Sequence, residues 1–262
     1  MSGKPMTDDS PLPVIQSLWI GDRLSSMERL CISSFLINGH PFHLYVYDEI
    51  ENVPAGVLLK DAREIISPDK IFKYRDRNTY AGFSNLFRYK LLLEKGEFWV
   101  DTDVVCMSPL NPASDYVFTS AKEPNLYVLG PKIHKVQNFL IKTPAGAEIM
   151  EYCYTEAGKR NPAELKWGDT GPRLLKSAVK KFSLQRYVEK AETFSPIHWR
   201  NWDRFINGAI HIVWREKLRF ALSGTKALHL WNEMWRLNGV NKDGGFPKNC
   251  IYEQLKRRYL ET

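Results

Sequence analysis

The chain has 262 residues, 44% hydrophobic and 26% charged, with 37 Lys and Arg against 30 Asp and Glu for a formal net charge of +7. Such a composition can bury one sizeable core, and it excludes a disordered, collagenous or transmembrane-dominated protein. The basic residues are scattered, clustering only at Lys256-Arg257-Arg258, and no zinc-finger or RNA-binding signature accompanies them, so no nucleic-acid partner is expected.

Taken in chain order, Val14 to Ile20 is an apolar run ending at Gly21-Asp22, which predicts a buried strand and a turn. Ser25 and Glu28 have capping-box spacing, and Met27, Leu30, Cys31, Ser34 and Phe35 recur at helical intervals before Gly39. Phe42 to Tyr47 then reads as a second strand. Strand, capped helix and strand in so short a span form a βαβ unit, which implies a parallel sheet with a right-handed crossover. A short helix is expected over Asp61–Ile66, stopped before Pro68, and a longer one over Phe83–Glu94, stopped at Gly96. Phe98-Trp99-Val100 predicts another buried strand that runs into Asp101-Thr102-Asp103. Beyond Pro109, Tyr116–Ser120 and Leu126–Leu129 are candidate strands, Ala145–Ala157 a helix, and Thr170-Gly171-Pro172 the opening of a helix to Lys181. The expected fold class is α/β, a mixed and mainly parallel sheet flanked by helices, as a single domain over 12–262 behind a flexible tail over 1–11.

Chemistry concentrates at Asp101 and Asp103. In an extended segment, residues two apart share a side, so both carboxylates could address one hard divalent cation. Asp-x-Asp is frequent by chance, but a charged pair ending a buried apolar strand needs a partner. In open α/β sheets that strand end is where ligands bind. An apolar strand followed by Asp-x-Asp also resembles the first motif of haloacid-dehalogenase phosphatases, whose late acidic pair has no convincing counterpart here. A non-catalytic basic adaptor or glycan-binding protein is the third reading.

Ser84-Asn85-Leu86-Phe87-Arg88-Tyr89-Lys90-Leu91-Leu92, followed through Lys95-Gly96-Glu97 by Phe98-Trp99-Val100-Asp101-Thr102-Asp103, resembles the Ser-Asp-x-x-Arg…Gly-Gly-x-Tyr-x-Asp-x-Asp signature of the DXD-containing sugar transferases. These are glycosyltransferase family 32-like enzymes, among them α-1,4-galactosyltransferase-like, yeast mannosyltransferase-like and large-clostridial-toxin-like proteins. Leu18-Trp19-Ile20-Gly21, Thr170-Gly171-Pro172 and Ala227-Leu228-His229-Leu230-Trp231-Asn232 agree with it, so the resemblance spans most of Val14 to Trp235. It implies a GT-A-like, Rossmann-related fold, a nucleotide-sugar donor (usually UDP-linked), Mn²⁺ or Mg²⁺, and retention of anomeric configuration. It places Trp19 and Gly21 beside the nucleobase, Ser84, Asn85 and Arg88 at the donor, Asp101 on ribose and metal, Asp103 on the metal, and His229 near the metal. Two positions depart from the signature: Asn85 stands for the family Asp and Glu97 for the second Gly.

Asp169 precedes a helix start, where capping is the default role. Because that helix end would face the donor sugar, Asp169 is also the catalytic candidate. The expected acceptor is a glycan, a lipid-linked glycan or another hydroxyl compound, in polysaccharide biosynthesis. Cys31, Cys106, Cys153 and Cys250 lie far apart without a C-x-x-C pair, which suits a reducing compartment. Residues 1–13 carry no signal-like apolar run. The expected location is cytoplasmic, with peripheral association at the inner face of the membrane.

Overall fold

The computed structural model describes residues 11–122 and 134–261. The expected strand at Leu126–Leu129 and nearly all of the expected tail lie outside the described residues. Strand β1 (Ile15–Trp19) feeds helix α1 (Ser26–Ile37), and β2 (Phe42–Val46) and β3 (Val57–Asp61) follow. Helix α2 (Ala81–Lys95) leads to β4 (Glu97–Val100), β5 (Val104–Cys106), β6 (Val117–Lys122) and β7 (His134–Thr143). The remainder is α3 (Glu148–Gly158), α4 (Pro172–Lys181), α5 (Ala191–Phe194), α6 (Ile210–Ser223), β8 (Ala227–His229), α7 (Asn232–Leu237) and α8 (Ile251–Leu260).

The predicted βαβ unit is present. Ser25 caps α1 by accepting from the Met27 N–H at 3.3 Å, and Glu28 reaches back to the Ser25 N–H at 2.9 Å. β1 pairs with β2 in parallel, from Ile15 against Phe42 to Trp19 against Val46. The six-stranded sheet has the order β3-β2-β1-β4-β7-β6. Its first four strands are parallel, whereas β7 runs antiparallel to both β4 and β6. Helices cover both faces, and the alternation along β4 shows it: Trp99 packs with Phe87 of α2, while Phe98 and Val100 pack with Ile32 and Phe35 of α1.

The chain runs outward from β1 to β3 and then returns to place β4 on the other side of β1. The carboxyl ends of β1 and β4 are thus the topological switch point, where loops diverge and leave a crevice. β5 does not join this sheet; it forms an antiparallel ladder with β8, Val104 opposite His229.

Four strands escape the sequence reading, β3, β5, β7 and β8, of which β5 and β8 are only three residues long and too short to show a period. β3 is an edge strand whose Leu58 and Leu59 are half exposed, so it lacks the apolar-in, polar-out pattern that marks a strand. β7 opens His134-Lys135-Val136-Gln137-Asn138, which is mostly polar, and continues Phe139-Leu140-Ile141, so neither alternation nor a continuous apolar run marks it. The helix expected at Asp61–Ile66 is a single 3₁₀ turn, Ala62–Glu64, closed by Asp61 accepting from the Arg63 N–H.

Gly96 turns α2 into β4 at φ +65°, and a Cβ there would lie 2.4 Å from the Ala145 backbone nitrogen. Glu97, where the family signature has its second glycine, also sits at φ +67°. A side chain in left-handed backbone costs about 1–2 kcal/mol. We therefore expect Gly96→Ala to lower stability by roughly 2 kcal/mol or more, and Glu97→Gly to raise it by up to about 1 kcal/mol once glycine's extra chain entropy is subtracted. Urea unfolding of the two variants beside the parent measures both.

Candidate functional site

Asp101 follows β4 directly, and its N–H still donates to the Phe139 carbonyl of β7 at 2.7 Å. The chain then folds back: the Val104 N–H donates to the Asp101 carbonyl at 3.2 Å, making Asp101 to Val104 a tight turn. The extended alternation expected for Asp101 and Asp103 is therefore absent. The turn, not the pleat, sets the relation between the two carboxylates, and each meets its own set of partners.

Asp101 Oδ1 accepts from Arg88 Nη2 at 2.8 Å and from Trp99 Nε1 at 2.7 Å. Arg88 lies on α2, is only 4% exposed, and stacks over the Trp99 ring at 4.9 Å. Its other donors reach the Asn138 carbonyl at 2.8 Å and Ser84 Oγ at 3.2 Å. The terminal nitrogens of the guanidinium expected at the donor are thus taken up within the protein, while its Nε is buried without a partner among the described residues. Asn85, one turn earlier, is also buried. It donates to Thr170 Oγ1 at 3.2 Å and accepts from Asn138 Nδ2 at 2.8 Å. This junction uses both the donor and the acceptor of an amide, which the family carboxylate would not supply.

Asp103 is held from the opposite side. Its Oδ2 lies 3.2 Å from His229 Nε2 and accepts from the Asn232 N–H at 2.8 Å. Its carbonyl accepts from the Leu230 N–H at 2.8 Å. The β5–β8 ladder brings His229 here across 126 positions of sequence, and its ring packs against Phe139 and Trp231, with centroids at 4.2 and 4.0 Å. Trp231, at φ +61°, starts α7 and aims the Asn232 N–H at the carboxylate. Neither the Asn232 backbone nor the left-handed Trp231 is readable from residue type.

The two carboxyls are pushed apart in acidity. Burial raises Asp101 above its ordinary value, and the Asp103 charge adds to the rise against the opposing pull of Arg88. Burial acts upward on Asp103 too, but the His229 imidazole and the Asn232 N–H outweigh it and hold this carboxyl below 3.8. Asp103 is therefore the firmly ionised member.

Each carboxylate commits one oxygen. Among the described residues Asp101 Oδ2 and Asp103 Oδ1 have no hydrogen-bond partner, so one oxygen from each is left for a ligand. Two hard oxygens beside a crevice fit Mg²⁺ or Mn²⁺, which completes its shell with phosphate and water. His229 turns Nε2 to Asp103, and no three such side chains among the described residues form a ready-made cage. Of the expected ligand set, Asp101 and Asp103 each keep one oxygen without a partner among the described residues, and His229 keeps a buried, unpartnered Nδ1 while its Nε2 lies on Asp103.

Trp19 ends β1, on the other wall of the crevice. Its indole N–H is buried and unpartnered. A Cβ on Gly21, at φ +152°, would come within 3.2 Å of that nitrogen, so glycine keeps the indole edge approachable. Asp169 does not cap α4, whose N-cap Gly171 offers no side chain. Its oxygens are taken by Arg173 at 2.8 Å and by the Lys166 N–H at 3.1 Å. It belongs to the rim through its neighbour Thr170, which bonds Asn85.

Residues 145–259 match the family described as the alpha 1,4-glycosyltransferase conserved region. No curated protein matches in sequence. Similar solved structures include the PaToxG glycosyltransferase, at 14% identity and TM-score 0.44 over 95% of this chain and 86% of that one. Another is the WbbM bifunctional glycosyltransferase, at 12% identity and TM-score 0.47 over 99% of this chain and 53% of that one. A transferase mutant is similar at 12% identity and TM-score 0.42, over 66% of this chain and 85% of that one.

Because its pKa is lowered in the folded state, the Asp103 carboxylate contributes stability that is fully present above the ordinary value of 3.8 and is lost as pH falls through the folded value below it. Asp103→Asn should then cost about 1–2 kcal/mol at neutral pH. The gap to the parent should close only in strong acid. Urea unfolding across that pH range tests this, and a gap that persists at the lowest pH would count against the assigned cause.

Proposed function

We propose that this chain, whose residues 145–259 match the alpha 1,4-glycosyltransferase conserved region, is a GT-A-like glycosyltransferase that moves a sugar from a UDP-linked donor to a hydroxyl of a glycan or lipid-linked acceptor, with Mg²⁺ or Mn²⁺ at Asp101 and Asp103. The observation that carries the proposal is the division of labour in each carboxylate: one oxygen pinned by the protein, the other free at the switch point.

The roles follow from the fixed geometry. Arg88 and Trp99 hold Asp101 so that its free oxygen needs no reorganisation when the donor arrives. His229 and the Asn232 N–H do the same for Asp103 and keep it ionised. When bound, the divalent ion supplies charge neutralisation for the departing diphosphate. The unpartnered Trp19 N–H, against which Gly21 places no side chain, suits the edge of a nucleobase or ribose. Retention of configuration is part of the proposal. The acceptor hydroxyl attacks on the face the diphosphate leaves, and the leaving phosphate takes its proton, so no protein base is required. Asp169 fits this scheme as a brace: with Arg173 and the Lys166 N–H on its oxygens it is not poised as a base.

Incubation with UDP-sugars and Mn²⁺ should release UDP, slowly by hydrolysis and faster with a suitable acceptor. Asp101→Asn and Asp103→Asn should each reduce the rate by roughly a hundredfold or more, while Asp169→Asn should stay within about tenfold of the parent. Release of inorganic phosphate from a phosphomonoester, with UDP-sugars untouched, would overturn the proposal in favour of the phosphatase reading.

A further inference from the structure

Helix α6 is built inside out. Ile210, Trp214, Leu218 and Leu222 are 79%, 67%, 41% and 79% exposed, and they recur at every fourth position. At 3.6 residues per turn such steps drift by only about 40°, so the four side chains form one outward stripe along the whole helix. The inward face carries Val213, Glu216 and Phe220. Ordinary amphipathic packing would put the apolar stripe inward, and a contiguous exposed one marks an interaction surface.

Charge identifies what covers it. Glu216 is the helix's one acidic residue, and it is fully buried. Arg204, Arg219 and Arg215 approach its carboxylate at 2.9, 3.0 and 3.3 Å. Two of those guanidiniums belong to α6 and flank the stripe on one side. Lys217, exposed and without an ion pair among the described residues, flanks it on the other. On α6 itself the outward surface therefore combines Ile, Leu and a tryptophan with basic edges and no acid, and the neighbouring Glu192 is paired with Lys122 at 2.5 Å, on a chain of net charge +7. A second copy of the same face would set these cations against one another. An anionic bilayer answers both features, taking the apolar stripe into its acyl boundary and pairing the flanks with lipid phosphates.

We infer that α6 is a docking helix that seats the protein peripherally on an anionic phospholipid membrane. No helix among the described residues is long and apolar enough to cross one, so the attachment is an interfacial one. β8 follows α6 after residues 224–226 and carries His229 to Asp103, which ties the docking helix to the strand that builds the donor site. A lipid-linked acceptor would suit that arrangement, but the docking itself does not depend on the sugar-transfer reading.

Flotation with vesicles of phosphatidylcholine alone, and of phosphatidylcholine mixed with phosphatidylglycerol, tests the inference. The parent should bind the mixed vesicles and largely ignore the neutral ones. The double variant Ile210→Ser with Leu222→Ser should weaken partitioning by roughly tenfold or more, and Lys217→Glu by about tenfold. All three positions are exposed, so folding and nucleotide binding should be unchanged, which separates a failure of docking from a failure of the donor site. The tryptophan emission shift on binding should be lost in Trp214→Phe. A parent that ignores phosphatidylglycerol vesicles, or variants that bind like it, would overturn the inference. So would a parent dimer, seen by light scattering, that the double variant converts to monomer.

Discussion

A guanidinium removed from water carries a penalty of several kcal/mol unless its charge and N–H groups are answered, and the terminal nitrogens of Arg88 are answered from three elements at once, with Nε left unpartnered among the described residues. Asp101 after β4 supplies the counter-charge, β7 a carbonyl at Asn138, and α2 itself the Ser84 hydroxyl. The Trp99 ring covers its face. Because the same carboxylate also takes the Trp99 indole N–H, the end of β4 cannot relax toward solvent. The turn through Asp103 starts from that fixed point, and the β5–β8 ladder follows from the turn. Losing this ion pair would strand a buried charge at the place where the sheet, α2 and the crevice meet.

The two aspartates then divide into unequal roles. Asp101 is buried beside a neighbouring carboxylate as well as a cation, and its pKa moves up; Asp103 faces an imidazole and a backbone N–H, and its pKa moves down. Paired carboxyls pushed in opposite directions characterise sites that handle charge. Here the fold achieves the split with partners drawn from opposite ends of the chain, α2 for one and the β8–α7 corner for the other. The matched family region begins at residue 145, downstream of both carboxylates. It contributes the partners His229, Asn232 and Thr170, and the N-terminal βαβ unit contributes the crevice walls.

Much of this was legible in the sequence wherever the signal was local. The capping box of Ser25 and Glu28, the glycine after α2 and the Phe-Trp-Val run before Asp101 each act over a few residues, and each structure formed as expected. Contacts set by tertiary closure were not. The bond between Asp103 and His229 spans the chain and could be anticipated only through the resemblance. The tight turn defeats strand alternation because its closing hydrogen bond leaves no mark in residue type. Arg88 was expected at the donor through the resemblance; its burial and its bond to Asp101, which the signature does not report, tie its terminal nitrogens into the protein. Asn85 departs from the family signature where the structure uses both halves of an amide. The stripe on α6 lay in plain view as an i, i+4 pattern, yet periodicity alone does not say which face turns inward.

The central claim is that the free oxygens of Asp101 and Asp103 hold a divalent ion and, through it, a nucleoside diphosphate. Thermal unfolding of the parent and of Asp103→Ala, with UDP or GDP and with or without Mn²⁺, tests it most directly, since binding to the native state raises the midpoint by mass action. At about a hundredfold excess over Kd the stabilisation is roughly 2.7 kcal/mol, a rise of about 5 °C or more for a chain of this size. The account predicts a rise with one nucleotide that requires Mn²⁺ and disappears in the variant. No rise with either nucleotide, or an equal rise in Asp103→Ala, would contradict it.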